Sequence, residues 1–318
     1  MVRAVVEERR RCDGSTPVRG PTLPTLNCLS IDVEEYFQCA AFAGYVSRAQ
    51  WPSMERRAAP FVERLATMLQ RHGSRATFFV LGWNVPELAP LLRQLVRQGH
   101  EIACHGDGHE HLARLSPQEL RDDLRAARAR IEDTLGVSPR GYRAPTFSVT
   151  RATAWALDVI LQEGFQYDAS IFPIRHDRYG VPGAPDGPFW ASTPAGARIL
   201  EFPPLTVGWR FMRLPVGGGG YLRLLPGAVV RHCLAARQRR GEPAMIYVHP
   251  WELDPGQPRL PVGRASQWRH RVNLHTVEGK LEALLREFHF EPAVTVLEHV
   301  RARADLPVFS VLPRLPGA

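Results

Sequence analysis

Lysine is nearly absent from this chain of 318 residues, in which Lys280 stands beside 39 arginines. Such a bias is typical of codon usage more than of a chemical role. The formal net charge is +8, but the basic residues are scattered, whereas a nucleic-acid footprint requires them on one face. We therefore predict no nucleic-acid partner. The charge would at most help the protein to hold an acidic exopolysaccharide or a membrane surface.

Cysteine and long apolar runs are also scarce. The five cysteines are widely spaced and form no C-x-x-C pair, which is typical of free thiols in a reducing compartment. No run reaches the length of about 18 apolar residues that a transmembrane helix requires, and the first residues lack the apolar stretch of a signal peptide. We therefore expect a cytoplasmic protein, acting in the cytoplasm or at the inner face of the membrane.

Strands and helices are predicted to alternate along most of the chain. Residues 1–25 carry charge, proline and glycine without a hydrophobic period, which predicts a disordered leader. From Leu26 onward, short apolar segments alternate with amphipathic ones, the pattern of a parallel sheet or barrel with helices outside. The segment 171–215 is rich in proline and glycine and is predicted to form loops around one strand, and a last strand is predicted at 294–297.

The residues able to do chemistry fall at the carboxyl ends of the predicted strands. In parallel α/β folds, that edge of the sheet is where binding and catalytic sites are built. Because several separate strands end in this way, a shared site is favoured over coincidence. The residues concerned are Asp32, Glu34 and Glu35 after the first strand, His105 and His109 after the third, and Arg143, Asp168 and His249 after later ones.

Two of these groups offer metal ligands. His105 and His109 lie four residues apart, and glycines on both sides of Asp107 favour a loop. Glu34 lies on the same side of an extended chain as Asp32. Two imidazoles and one carboxylate leave open positions on an ion such as Zn²⁺, which is typical of a catalytic site. Taken alone, each group is also compatible with a surface turn or a buried structural histidine.

Five motifs, taken in order, resemble those of the polysaccharide deacetylases of carbohydrate esterase family 4, whose shared unit is the NodB homology domain. They are LSIDVEEYF at 29–37, EIACHGDGHEHL at 101–112, GYRAPTF at 141–147, YDAS at 167–170 and IYVHP at 246–250. The resemblance covers residues 26–253 and implies an α/β fold, a distorted (β/α) barrel of seven or eight strands.

The resemblance also implies a division of the chain. A leader (1–25) would precede a catalytic domain (26–255), and a C-terminal extension (256–318) would pack on the barrel. Such an extension resembles that of a bacterial subfamily associated with exopolysaccharide gene clusters. The implied activity is metal-dependent hydrolysis of N-acetyl groups on an amino-sugar polysaccharide, with an N-acetylated polysaccharide or oligosaccharide as the partner.

Ligands of the metal follow from the same resemblance. Glu34, His105 and His109 would hold a divalent ion, most simply Zn²⁺. Many family members carry two adjacent aspartates in the first motif, whereas this chain has Asp32-Val33-Glu34. Glu34 is therefore the expected carboxylate ligand, with Glu35 as the alternative.

Roles in the reaction are implied in the same way. Asp32 would take a proton from the attacking water, and Arg143 would hold Asp32 in its ionised form. His249 would protonate the leaving amine, with Asp168 orienting or tuning it. A backbone amide near Thr146 or Phe147 would stabilise the oxyanion. Contacts with the substrate are expected from Pro145, Thr146, Phe147, Tyr221 and Trp251.

Two other functions stay open at this stage. The same fold could act on a small amide or cyclic ureide, which a closed pocket would favour and a long open groove would disfavour. A catalytically silent carbohydrate-binding module is the other alternative. That alternative predicts a missing base or ligand, and none of the expected residues is absent.

Overall fold

Short apolar segments form the strands of a mostly parallel sheet. The structure is a computed structural model that describes residues 25–176, 178–209, 212–302 and 305–312. In chain order the strands are β1 (Asn27–Val33), β2 (Thr77–Val80), β3 (Glu101–Cys104), β4 (Gly141–Tyr142), β5 (Tyr167–Asp168), β6 (Phe189–Ser192), β7 (Arg198–Glu201), β8 (Thr206–Trp209), β9 (Met212–Pro215), β10 (Met245–Val248), β11 (Phe290–Glu291) and β12 (Val308–Ser310).

The central strands form a distorted (β/α) barrel, as predicted. They are ordered β10-β1-β2-β3-β4-β5-β7, and each pair of neighbours in this series is parallel. β6 and β12 continue beyond β7, whereas β8 and β9 form a separate hairpin. Leu205 N donates to Met245 O, and Tyr247 N donates to Gly217 O. The chain that follows β7 therefore bridges part of the gap to β10.

Amphipathic helices cover the outside of the barrel. The third of them begins at a capping box in which the Ser116 hydroxyl accepts from Glu119 N, as its sequence predicts. Among the described residues, no helix has both the length and the apolar character needed to cross a bilayer. The helices are α1 (Ala58–Arg71), α2 (Val85–Arg97), α3 (Pro117–Leu135), α4 (Ala156–Gln162), α5 (Gly219–Leu224), α6 (Gly227–Arg239), α7 (Arg264–Arg271), α8 (Val277–Glu287) and α9 (Ala293–Arg301).

Two sequence predictions of secondary structure were wrong. The segment predicted as a strand at 294–297 lies in α9, where Ala293, Val296 and Leu297 are buried at helical spacing, and the strand of this region is β11. The segment 171–215 contains four strands rather than one. Both errors have one cause, because a short apolar run becomes a strand only where a neighbouring strand is available to pair with it.

Contacts cross the predicted domain boundary at residue 255. β11 pairs with the start of β1, with Phe290 opposite Asn27, and Ala293 N donates to Thr77 Oγ1 at 2.7 Å. The C-terminal segment thus contributes to the same sheet as the barrel. The division at residue 255 stays a prediction, and the leader predicted at 1–25 lies, apart from residue 25, outside the described residues.

Candidate metal and catalytic site

Three side chains converge beyond the carboxyl ends of β1 and β3. Glu34 Oε1 lies 3.2 Å from His105 Nε2 and 2.9 Å from His109 Nε2. His105 Nδ1 lies 2.7 Å from Arg143 O, so it donates its proton there and presents the Nε2 lone pair to Glu34. A lone pair and a carboxylate oxygen that face each other are stabilised by a cation between them. The donor atoms therefore fit a divalent metal.

Glu34, rather than Glu35, faces the imidazoles. Burial alone would raise the pKa of Glu34, but the charges of His109 and His249 outweigh it and hold that pKa well below the usual value. The Glu35 carboxylate instead accepts from Arg57 N at 2.8 Å and from Ala58 N at 3.1 Å, at the start of α1. Glu35 is thus engaged in anchoring a helix, and the structure brings only Glu34 to the two histidines.

Helix α3 holds the loop that carries both histidines. Asp123 accepts from Asp107 N and Gly108 N, each at 2.9 Å, and Asp107 pairs with Arg48 at 2.5 Å. His109 has φ +53°, a conformation that residues other than glycine adopt rarely. The bonds to Asp123 support this loop conformation. The sequence analysis did not single out Asp123, because its contact with this loop depends on the packing of α3.

Asp32 is fixed by a fully buried guanidinium. Arg143 Nη1 lies 2.5 Å from Asp32 Oδ1 and also donates to Ser30 Oγ at 2.9 Å. Arg143 Nε donates to Ala169 O at 3.1 Å, so the guanidinium has partners on two sides. Oδ1 of Asp32 is therefore occupied, while Oδ2 faces His249 Nε2 at 3.9 Å. Oδ2 is therefore the Asp32 oxygen on the side of His249, and the role of Asp32 as a proton acceptor stays a prediction.

The carboxylate that contacts His249 is Glu252. His249 Nδ1 lies 3.0 Å from Glu252 Oε2, and Glu252 Oε1 lies 2.9 Å from Arg223 Nε. Burial lowers the pKa of His249, but the negative charges of Glu34, Glu252 and Asp32 outweigh it and raise that pKa to about 9. His249 is therefore held as a cation, with Nε2 turned toward Asp32 and Glu34.

Asp168 does not occupy the place that the sequence predicted. Its carboxylate accepts from Ser170 Oγ at 2.5 Å and from Ser170 N at 3.2 Å, and it pairs with the buried Glu201 across the sheet. Burial raises the pKa of both carboxyls, so the pair is expected to share a proton. The Ser170 hydroxyl in turn accepts from Ala144 N. Asp168 thus supports the turn after Arg143, and none of its recorded contacts reaches His249.

A cleft opens over these residues. A cavity of about 220 Å³ is lined by Asp32, Glu34, His109 and His249 together with Thr146, Phe147 and Trp251. It shares Ala40, His109, Thr146 and Arg178 with a second cavity of about 330 Å³. The two cavities therefore adjoin each other beside the candidate site.

Three of the five predicted substrate contacts line this cleft. They are Thr146, Phe147 and Trp251, and the buried indole Nε1 of Trp251 has no hydrogen-bond partner among the described residues. Pro145 and Tyr221 are absent from the lining of both cavities. Pro145 is buried in the turn that carries Thr146, and contact of Pro145 and Tyr221 with the substrate stays a prediction.

The same turn distinguishes between the two backbone amides that are predicted as oxyanion donors. Thr146 and Phe147 have φ +60° and +52°, in the left-handed region that non-glycine residues rarely adopt. Phe147 N already donates to Ala144 O at 3.1 Å. Of the two backbone amides predicted, that of Thr146 is therefore the one left to face the cleft.

Two family models match adjoining parts of the chain. The model of the polysaccharide deacetylase family matches residues 53–166, and that of a domain of unknown function (DUF3473) matches residues 169–298. His105, His109 and Arg143 lie in the first match and His249 in the second. Asp32 and Glu34 precede both, so the candidate site is assembled from three parts of the chain.

Curated relatives match shorter segments. The chain is 28% identical to the peptidoglycan deacetylase of Helicobacter pylori over 110 residues, which are 35% of this chain and 36% of that protein. It is 40% identical to the chitooligosaccharide deacetylase of a Bradyrhizobium species over 79 residues, which are 24% of this chain and 36% of that protein. The chain thus spans about a third of the length of these two relatives.

Solved structures share the fold over nearly the whole chain. A Mycobacterium smegmatis protein of the polysaccharide deacetylase type superposes with a TM-score of 0.60 at 23% identity, over 95% of this chain and 99% of that chain. The PuuE allantoinase superposes with a TM-score of 0.58 at 16% identity, over 94% and 99% of the chains. At these identities the superpositions show the fold alone. Residues 53–166 therefore carry a polysaccharide deacetylase domain, of the family that the motifs of this chain resemble.

Proposed function

We propose that this chain is a metal-dependent hydrolase that removes N-acetyl groups from an amino-sugar polysaccharide, with an exopolysaccharide as its substrate. The observation that carries the proposal is the convergence on one cleft of a buried carboxylate, a three-ligand donor set and a histidine paired with Glu252. The relatives named for peptidoglycan and chitooligosaccharide deacetylation support the same substrate class. The second cavity beside the site favours a polymer over a small molecule.

The donor set of Glu34, His105 and His109 would hold the metal, for which Zn²⁺ is the simplest choice. When bound, such an ion would polarise the acetamide carbonyl and lower the pKa of water at the site. Asp32 Oδ2 accepts a proton from the attacking water as the new carbon–oxygen bond forms. The amide of Thr146 points to the developing oxyanion.

His249 completes the reaction from its place beside Asp32 and Glu34. Its Nε2 donates a proton to the amide nitrogen as the carbon–nitrogen bond breaks, which releases acetate and leaves an amine on the sugar. Glu252 accepts the Nδ1 proton of His249 and fixes the orientation of the ring. Arg143, itself held by Ser30 Oγ and Ala169 O, keeps Asp32 in place throughout.

Acetate release tests the proposal directly. We expect purified protein to release acetate from N-acetylglucosamine oligomers and from an N-acetylated exopolysaccharide, to lose this activity after chelation, and to regain it with Zn²⁺. Full activity in the chelated, metal-free protein would contradict the proposed role of the donor set. Hydrolysis of a cyclic ureide without acetate release from any glycan would instead favour the small-molecule alternative.

Replacing Glu252 is expected to move the alkaline limb of the pH profile. Because the pKa of His249 is raised, its protonated form is present at neutral pH. That form is lost as the pH rises through this pKa. Glu252→Gln takes away one of the negative charges that raise the pKa, so the alkaline limb should shift to lower pH by about one unit. The pH dependence of kcat measures this shift, and a limb that stays in place would show that Glu252 does not act through His249.

A further inference from the structure

A stack of aromatic rings links His249 to the C-terminal part of the chain. The His249 ring lies parallel to that of Trp251, with centroids 4.9 Å apart, and Trp251 lies parallel to His270 at 4.3 Å. His270 is buried in α7, and its Nε2 lies 2.7 Å from Gln257 Oε1. The flat face of His249 is therefore supported through Trp251 by a residue of α7.

Arg223 makes a second link to the same segment. Its guanidinium pairs with Glu252 through Nε at 2.9 Å, lies over the Trp251 ring at 5.3 Å and donates through Nη1 to His270 O. Arg223 is buried, so these contacts are shielded from water. One guanidinium thus connects the carboxylate that holds His249 to the backbone of α7.

The single lysine of the chain fixes the backbone around Arg223. Lys280 Nζ donates to Leu222 O at 2.8 Å and to Arg223 O and Leu225 O at 2.9 Å each. Asn273 Nδ2 also donates to Arg223 O, at 3.2 Å. An ammonium group has three donors on one compact centre, which suits three converging carbonyls better than a planar guanidinium does. This geometry gives a physical reason for a lysine at position 280 in a chain whose other basic residues, apart from histidine, are arginines.

We infer that residues 264–280, which we call the C-terminal platform, position His249 for proton donation to the leaving amine. The platform acts along two routes, through the His270–Trp251 stack against the face of the His249 ring and through Arg223 and Glu252 against its Nδ1. The inference rests on the proposed function, because it assigns positioning residues to the proton donor of that reaction. It gives a role to part of the segment matched by the domain of unknown function.

Comparing substrates with different leaving groups tests whether the C-terminal platform positions His249. An amide nitrogen must be protonated to leave, whereas p-nitrophenolate leaves an aryl acetate as a stable anion and needs no proton donor. In the metal-loaded full chain, His270→Ala should lower kcat for N-acetylglucosamine oligomers by about 10- to 100-fold, with KM little changed. The rate of p-nitrophenyl acetate hydrolysis should stay at the wild-type level, which also shows that the fold and the metal site are intact.

Three further variants sharpen this test. His270→Phe keeps a ring against Trp251 and should retain most of the amide activity. Arg223→Lys keeps the positive charge but lacks the guanidinium that contacts both Glu252 and His270 O. This variant should therefore lose amide hydrolysis and keep ester hydrolysis. His232→Ala removes an exposed histidine of α6, which lies outside the platform, and should change neither rate.

Two results would overturn the inference. One is a parallel fall of the amide and ester rates in His270→Ala and Arg223→Lys, and the other is an unchanged amide rate in both. Failure of the proposed function is distinguishable from these, because the wild-type chain would then hydrolyse no N-acetylated amino sugar at all.

Discussion

Asp32→Asn is expected to lower kcat for deacetylation by about 100- to 10,000-fold. The substitution keeps the shape of the side chain, and its amide oxygen can still accept from Arg143. It removes the basic Oδ2, which lies 3.9 Å from His249 Nε2 at the cleft. Because Asp32 is not one of the three ligand residues, the bound metal should be retained, and KM should change little. Steady-state acetate release together with metal analysis measures both effects.

Glu35→Gln is the matched control for this prediction. It also neutralises a buried carboxylate in the same loop, but its amide oxygen can still accept from Arg57 N and Ala58 N at the start of α1. We expect this variant to keep most of its activity. Near wild-type activity in Asp32→Asn, or an equal loss in Glu35→Gln, would contradict the assignment of Asp32 as the base.

Arg143→Met is expected to lower the free energy of unfolding by about 3 to 5 kcal/mol. Arg143 is completely buried and is the cation paired with Asp32 at 2.5 Å. Its removal leaves the Asp32 charge without a partner in an environment where only 3% of that side chain is exposed. It also leaves Ser30 Oγ and Ala169 O without a donor, and each unmade bond in a buried site costs further stability. Denaturant titration of both proteins measures the difference.

Two comparisons separate this charge effect from simple loss of packing. The double variant Asp32→Asn/Arg143→Met should recover part of the lost free energy, because no unpaired buried charge remains. Arg140→Met removes an arginine whose side chain is 44% exposed and pairs with the exposed Glu298, so it should cost less than about 1 kcal/mol. Equal destabilisation by Arg143→Met and Arg140→Met would count against a buried charge pair.

Local order along the chain was enough to predict the barrel and most of the site. A strand followed at once by a polar residue identifies the carboxyl edge of a parallel sheet, and Asp32, His105, Arg143 and His249 all meet there. The candidate metal ligands His105 and His109 could be predicted together because both lie in one five-residue loop. The sheet register then brings Glu34 to them from a neighbouring part of the site.

The carboxylate partner of His249 could not be predicted in this way. Asp168 follows a strand as the other site residues do, but its place beside Glu201 depends on the pairing of β5 with β7. Glu252 reaches His249 because a single helical turn, at Pro250–Leu253, follows the strand. The sequence signal for Glu252 was its spacing of three residues from His249, which is informative only once that turn is known.

The sequence by itself determined which chemical groups are available and at which strand ends they lie, because each of these polar residues is adjacent in sequence to the strand that it follows. Tertiary structure decided which groups meet. It placed Glu34 rather than Glu35 beside the imidazoles, and Glu252 rather than Asp168 beside His249. It also connected His270 and Lys280 to His249 through Trp251 and Arg223. These contacts join residues that are distant in sequence, and their distances depend on sheet register and helix packing, which no short pattern of residues specifies.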